Sequence, residues 1–168
     1  MAVEHETLKP QLPRAAPAIL NAGAVAGFMD IIAASIQAWI AGRTPMRMLQ
    51  GIAVGWFGRA SLQMGWTSAA VGFVTHFFIA TSWAAIYWFT SQRFPVLVRR
   101  AWVCGTVYAL LVYAVMYEIV MPLSAIHRRI PRTPQAYLIG ILIHIFCIGL
   151  PIALIVRART PRSELTAV

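Results

Sequence analysis

The charged residues divide the chain into four long apolar runs. These runs lie between Arg14 and Arg43, Arg59 and Arg93, Arg100 and Arg128, and Arg132 and Arg157. The first run contains a single charge, Asp30, the third contains only Glu118, and the other two contain none. Each holds the roughly 20 residues that a helix needs to cross a hydrocarbon core of about 30 Å.

An all-α, integral membrane four-helix bundle follows from this pattern, because lipid does not tolerate unpaired backbone and the alternation of a membrane barrel is missing. We predict a single transmembrane domain at residues 17–157, with residues 1–16 as a disordered tail and residues 158–168 as a second tail. The spans are predicted at about residues 17–40, 68–90, 101–121 and 135–156.

Residues 45–65, between the first and second spans, have a different pattern. The segment is apolar, but it carries Arg47 and Arg59 near its ends. Three glycines interrupt it: Gly51, Gly55 and Gly58. Such a segment is typical of an amphipathic helix that lies in the membrane interface or re-enters the membrane, and we predict that it covers the mouth of the bundle. The alternative is that residues 45–65 form a fifth span, because the glycines would allow this span to pack closely against the others.

The composition supports a membrane protein and excludes a soluble domain. Hydrophobic residues make up 60% of the chain and charged residues 11%, whereas a soluble domain carries about 25% charged residues. Most of the surface must therefore face lipid. The net charge of +9 does not indicate nucleic-acid binding, because the basic residues cluster between apolar runs, where they favour anionic lipid headgroups. The predicted partner is the lipid bilayer.

The basic residues also predict the orientation. One side of the membrane has eight: Lys9, Arg14, Arg93, Arg99, Arg100, Arg157, Arg159 and Arg162. The other side has six: Arg43, Arg47, Arg59, Arg128, Arg129 and Arg132. Positively charged segments tend to stay in the cytoplasm, so both termini are predicted to be cytoplasmic in a bacterial inner membrane.

Four ionisable residues lie inside the predicted spans: Asp30, His76, Glu118 and His144. Such residues are costly in lipid and normally face the interior of a bundle. Counted from the helix ends far from the termini, Asp30 is ten residues deep, His76 eight and His144 nine, or about 12–15 Å at 1.5 Å per residue. We therefore predict that these three residues share one level of a buried polar site, and that Glu118 also belongs to this site but lies nearer the surface.

Glycines accompany these polar residues on the same helix faces. The first span contains the GxxxG pattern Gly23–Gly27, and a glycine precedes each histidine by one turn, at Gly72 and Gly140. Small residues at these spacings let a neighbouring backbone approach closely. The four glycines are thus predicted helix-packing positions.

The polar layer permits three interpretations. A carboxylate between imidazoles could relay protons or line a polar cavity. His76 and His144 could instead bind a transition metal, with Cys147 as a soft ligand, or clamp a non-covalent haem. Of these possibilities, we expect most simply that the protein contains no cofactor. No Walker loop, GxSxG, HExxH or paired CxxC occurs in the sequence, so no catalytic residues and no enzymatic activity are predicted.

Features from His76 onward resemble a known group of membrane proteins. They run in the order His76-Phe-Phe-Ile-Ala, Phe94-Pro95, Pro122-Leu123, His144, and a basic tail from Arg157 to Arg162. In this order the chain resembles the YagU-like uncharacterised bacterial inner-membrane proteins over residues 70–162. The first third departs from the group, which has a proline- and arginine-rich region where this chain has Arg43-Thr-Pro-Met-Arg47 and a glycine-rich insert. The resemblance implies a small multi-pass membrane protein and no particular activity.

Three functions remain as hypotheses. The first is a non-enzymatic assembly or interaction subunit, as a homo-oligomer or within a larger membrane complex. The second is a proton-linked or small-solute permeation unit. The third is a metal- or haem-binding electron-transfer protein.

Overall fold

The computed structural model describes residues 12–127 and 133–161, and in these ranges the secondary structure is helical, without strands. Six helical segments are numbered in chain order: α1 Leu12–Ile40, α2 Pro45–Phe57, α3 Gly65–Arg93, α4 Val96–Arg99, α5 Ala101–Leu123 and α6 Pro134–Arg159. Both α5 and α6 contain a π-helical segment, at Met116–Val120 and His144–Gly149 respectively.

The four-span, all-α prediction is confirmed. Within the described ranges, α1, α3, α5 and α6 are the helices that are long and apolar enough to cross a membrane. Two boundaries need correction. The helix α1 begins at Leu12 rather than at Pro17, so residues 12–16 are helical rather than part of a tail. The helix α6 continues to Arg159, two residues into the predicted C-terminal tail. Pro17 lies in the second turn, where its missing N–H removes a single helical hydrogen bond. Residues 1–11 and 162–168 of the predicted tails lie outside the described residues.

The segment between the first two spans forms the short helix α2. Thr44 caps its start, because the Thr44 hydroxyl accepts a hydrogen bond from the Arg47 backbone N–H at 3.2 Å, and Gly58, with φ 58°, ends it. A 3₁₀ turn at Gly58–Gln63 then leads into α3. The 13 residues of α2 extend for only about 20 Å at 1.5 Å per residue. The alternative of a fifth span is therefore wrong.

Glycines mark the places where neighbouring helices approach each other most closely. A Cβ atom at Gly23 would lie 2.7 Å from the backbone of Thr81, so α1 and α3 cross with little space between them. A Cβ atom at Gly149 would overlap the Gly105 carbonyl oxygen, which brings α5 against α6. Without a hydrophobic force between helices in lipid, such close approaches determine which helices pack together.

The bundle has two halves that differ in packing. The closed half carries the helix ends near α4, and the open half carries α2 and the segment after α5. The main cluster of buried apolar residues lies in the closed half and reaches the edge of the open half at Val112 and Ile148. Its other members are Ala15, Ala18, Ala22, Ala26, Ala84, Tyr87, Trp88, Val98, Ala101, Tyr108, Ile152, Ala153 and Val156. The Arg157 guanidinium donates hydrogen bonds to the carbonyl oxygens of Val98 and Arg99, at 3.1 and 2.7 Å, and thereby ties α6 to α4.

In the four-span ring, α3 and α5 have the least mutual contact. The helix α1 packs along both α3 and α6, and α5 packs along α6. Between α3 and α5, the Tyr108 hydroxyl donates a hydrogen bond to the Trp83 carbonyl oxygen at 2.7 Å. This contact lies in the closed half, whereas in the open half α3 and α5 lie apart.

Candidate functional site: an intramembrane cavity

A cavity of about 960 Å³ fills the space between α3 and α5 in the open half. Side chains of α1, α2 and α6 complete its walls, together with the segment Ser124–His127 after α5. The cavity is mostly apolar. Its polar and ionisable lining residues, among those described, are Asp30, Thr75, His76, Tyr117, Ser124, His127 and His144.

Asp30 and His76 face each other across the contact between α1 and α3. The His76 Nε2 atom lies 3.9 Å from the Asp30 Oδ2 atom and 2.9 Å from the Gly27 carbonyl oxygen. A carbonyl oxygen can only accept, so Nε2 carries the hydrogen and donates it to Gly27. Gly27 makes this bond possible, because a Cβ atom there would lie 2.9 Å from the Phe77 ring and would push the helices apart. The Nδ1 atom of His76 is left as the nitrogen that can take up a proton.

His144 reaches the same cavity from α6. Its Nδ1 atom donates a hydrogen bond to the Gly140 carbonyl oxygen at 2.9 Å. The imidazole lies edge-on to the Tyr113 ring, with 5.1 Å between ring centroids, and 6.0 Å from the Tyr117 ring. Gly140 leaves the room for this aromatic group, since a Cβ atom there would lie 2.8 Å from the Tyr113 ring.

The two π-helical segments both border the cavity. Met116 and Tyr117 contribute from the segment in α5, and His144 and Ile148 from the segment in α6. A π-helical turn inserts an extra residue and so changes which side chains face a neighbour, and such turns are frequent at functional sites. The π-helical geometry therefore selects the side chains that α5 and α6 present to the cavity.

Of the four predicted polar residues, the structure brings three to one cavity: Asp30, His76 and His144. Glu118 is exposed and does not line it. The reason is local, because its neighbour Tyr117 faces the cavity and adjacent residues of a helix point in different directions. Placing Glu118 in the shared polar site thus requires correction. The four predicted packing glycines each lie at a close approach, Gly72 against the backbone of Leu49 on α2.

A metal site does not fit the described side chains. Across residues 12–127 and 133–161, no group of three or more His, Cys, Asp or Glu residues is arranged to hold a metal ion. The proposed ligands His76 and His144 line the cavity, but Cys147 does not. One ring nitrogen of each histidine already donates a hydrogen bond to a backbone carbonyl oxygen. The haem hypothesis, which would need the other nitrogens, stays a prediction.

Two parts of the site could not be found by searching for ionisable residues inside spans. One is His127, which lines the cavity from the segment after α5 and has a positive φ of 52°. The other is the wall that α2 provides, through residues that include Met48, Ile52 and Trp56. The Ala125 backbone N–H donates to the Gly55 carbonyl oxygen at 2.9 Å and joins these two parts.

Buried polar groups hold α2 in place as a fixed wall. The Gln50 amide donates a hydrogen bond to the Gly65 carbonyl oxygen at 3.0 Å. The Ser61 hydroxyl donates to the Gln50 carbonyl oxygen at 3.1 Å, and the Ser68 hydroxyl donates to the Ser61 carbonyl oxygen at 2.6 Å. Because Gln50, Ser61 and Ser68 are all buried, breaking any of these bonds would leave a polar group without a partner away from water.

The cavity opens sideways between α3 and α5. Several of its lining residues are at the same time largely exposed on the outer surface of the bundle: Phe78 is 69% exposed, Ile119 51% and Leu123 80%. On membrane spans, exposed apolar side chains of this kind face lipid. The opening is therefore bordered by lipid-facing residues.

The fold and this site define the class of the protein. It is an α-helical membrane protein with four spans and with a cavity that opens between two of them and is lined in part by ionisable residues. No family model, curated protein or solved structure matches the chain. A functional conclusion must therefore come from the site itself.

Proposed function

We propose that this chain is a small-solute permeation unit that takes a lipophilic molecule from the bilayer into the open-half cavity and couples its passage to protons. The observation that carries the proposal is the cavity of about 960 Å³ with Asp30 and His76 on its wall. A large, mostly apolar pocket with a few convergent polar groups is the usual form of a small-molecule site.

The proton linkage rests on the Asp30–His76 pair. When imidazole takes up a proton at Nδ1, both of its nitrogens become donors and the ring becomes a cation. That cation lies 3.9 Å from the Asp30 carboxylate, so protonation changes the net charge on the cavity wall. A ligand that interacts with Asp30 then senses the protonation state of His76.

The alternative function, a non-enzymatic assembly subunit, has less support, because the described surface of the bundle presents no distinct contact face. Exposed large apolar residues occur on all four spans, for example Phe28, Phe89, Leu111 and Phe146. Contact with lipid on every side requires this distribution. It favours no single face as the contact surface for a second copy or for a larger complex.

Localisation in a bacterial inner membrane with cytoplasmic termini is part of the proposal. The closed half carries Arg93, Arg99, Arg100, Arg157 and Arg159 at its helix ends, which supports placing that end in the cytoplasm. The resemblance to the YagU-like proteins points to the same membrane. Reporter fusions at Gln92 and Thr133 should report opposite sides, and reports from one side would contradict the even number of spans.

Binding of an uncharged hydrophobic probe tests the proposed function. Full-length protein in lipid nanodiscs should bind N-phenyl-1-naphthylamine with a saturable rise in fluorescence above that of empty nanodiscs. The substitution Ala34→Leu fills part of the cavity and should weaken binding about tenfold, because Ala34 lines it.

Ala33→Leu is the matched control, since Ala33 is the adjacent residue on α1 and does not line the cavity. Binding that is not saturable, or that is lost equally in both variants, would contradict the proposed function. Proteoliposomes then test the proton linkage: flux of the probe should depend on pH in the wild type, and Asp30→Asn should abolish that dependence.

A further inference from the structure

The charge and shape of the cavity narrow the class of ligand. We propose that the cavity binds a lipophilic organic cation, whose positive charge pairs with Asp30 and competes with the proton on His76. This inference rests on the proposed function and adds the chemical class of the ligand.

Among the described lining residues, the permanent charge is opposite in sign to the net charge of the whole chain. The protein has 14 Lys and Arg residues and 5 Asp and Glu residues. Among the described lining residues, however, Asp30 is the one carboxylate and none is Lys or Arg. An anion would meet no permanent positive charge on these side chains, whereas a cation meets a carboxylate in surroundings of low dielectric constant, where the attraction is strong.

Aromatic rings complete the surroundings of a cation. Trp83, Phe78 and Tyr117 all line the cavity, and the face of an aromatic ring attracts a cation, most strongly when both have lost their water. Trp83 is held in position by its edge-to-face contact with Tyr108, with 6.0 Å between the ring centroids. A carboxylate among aromatic rings favours an organic cation with delocalised or alkyl-shielded charge.

The same walls disfavour a hydrated inorganic ion. Hard cations such as Mg²⁺ and Ca²⁺ require several oxygen ligands at close range, and the described part of the chain contains no cluster of metal-binding side chains. The sideways opening, bordered by Phe78 and Leu123, requires a molecule that dissolves in lipid. Both observations lead to a lipophilic cation.

Competition with a proton follows from the geometry of the pair. With His76 neutral, the Asp30 carboxylate is available to the ligand cation. With His76 protonated, its imidazolium lies 3.9 Å from that carboxylate and neutralises it. The other titratable groups that line the cavity, among the described residues, are Tyr117 on α5, His127 after α5, and His144 on α6. Cys147 on α6 lies close enough to Asp30 to interact with its charge, and the residues that α2 contributes to the cavity are uncharged. Acidification should therefore weaken binding of the cation and release it.

Two ions of the same size and shape but opposite charge test the inference. Tetraphenylphosphonium is the cation and tetraphenylborate is the anion. Full-length protein in nanodiscs is titrated with each ion by calorimetry, with empty nanodiscs subtracted. The cation should bind with saturation, and its affinity should fall on acidification. Asp30→Asn should weaken the cation about tenfold, which corresponds to about 1.4 kcal/mol.

Glu118→Gln is the matched control, because it removes the other carboxylate in a span but one that does not line the cavity. It should leave cation binding unchanged. Should Asp30→Asn not fold, the preference of the wild type for the cation over the anion still decides the question.

Saturable binding of N-phenyl-1-naphthylamine without a preference for the cation overturns this inference and leaves the proposed function intact. A preference for tetraphenylborate also overturns it, since the imidazoles would then supply the charge. If neither the neutral probe nor the cation binds, both proposals fail. Equal weakening by Asp30→Asn and Glu118→Gln would show a general effect of the charge in the spans and would likewise overturn the inference.

Discussion

The closed and open halves of the bundle contain the same four spans but bring them together in different ways. In the closed half, alanines on α1 allow close packing, and the side chains of Tyr87 and Ile152 are fully buried. In the open half, α3 and α5 separate, α2 forms a wall between them, and ionisable groups face a cavity. One set of helices thus supplies both a packed anchor and a site.

The difference follows from the distribution of small residues. On α1, Ala15, Ala18, Ala22 and Ala26 recur at helical spacing and are all buried in the closed half. The next residue on this face towards the open half is Asp30, which packs against a histidine rather than against an apolar neighbour. Helix packing in membranes depends on close approach, so the change from alanine to a polar residue marks the boundary between the two halves.

The largest expected effect comes from adding one methyl group at the closest helix contact of the closed half. In Gly149→Ala the new Cβ would overlap the Gly105 carbonyl oxygen and lie 2.6 Å from the Ala109 Cβ, so the free energy of unfolding should fall by about 3 kcal/mol. Gly51→Ala on α2 is the control, because nothing lies within 4 Å of its Cβ. It should be neutral or stabilising by up to about 1 kcal/mol. Denaturation in detergent measures both, and equal losses would contradict the comparison.

A second pair of variants compares the halves on a single helix. Ala26 is fully buried in the closed half, whereas Ala34 lines the cavity. Ala26→Leu should lower the free energy of unfolding by about 2 kcal/mol because the packed core has no room for the larger side chain. Ala34→Leu should change it by less than about 0.5 kcal/mol. A large loss for Ala34→Leu would mean that the cavity closes in the folded protein.

A smaller effect is expected from the hydrogen bond that joins α3 and α5 in the closed half. Tyr108→Phe removes the donor to the Trp83 carbonyl oxygen and should lower the free energy of unfolding by about 1 kcal/mol. The open-half counterpart is Thr75→Val, which removes the acceptor of the Trp56 indole N–H. Because Trp56 is 63% exposed and an indole at the membrane interface finds other polar partners, the effect should be below about 0.5 kcal/mol. The same denaturation assay applies, and the reverse order would place the stabilising contacts in the open half.

The smallest expected effect is the coupling between Asp30 and His76. A double-mutant cycle of Asp30→Asn and His76→Ala should give an interaction energy above about 0.5 kcal/mol in thermal stability. The coupling should increase at a pH low enough to protonate imidazole, because the pair then becomes an ion pair. Strict additivity at both pH values would show that the two residues pack independently, and the open half would lose its proposed switch.

The positions of the ionisable residues could be predicted in part from the sequence. Equal depth placed Asp30, His76 and His144 at one level, and they do line one cavity. The predicted site also included Glu118, which the count along the helix put nearer the surface, and the structure shows it exposed. Depth depends only on the distance along a helix, whereas direction depends on rotation, and the π-helical turn at Met116–Val120 changes that rotation. A regular 3.6-residue period cannot anticipate such a turn.

The sequence by itself determined the number of spans, their approximate limits and the short helix between the first two. These are local properties, because each run of apolar residues gains free energy in lipid independently of the others. Only the tertiary structure decided that α3 and α5 separate, that α2 and His127 complete the cavity, and that Cys147 stays outside it. Each of these depends on how residues distant in sequence are positioned relative to one another, and that positioning results from helix contacts such as Gly105 against Gly149.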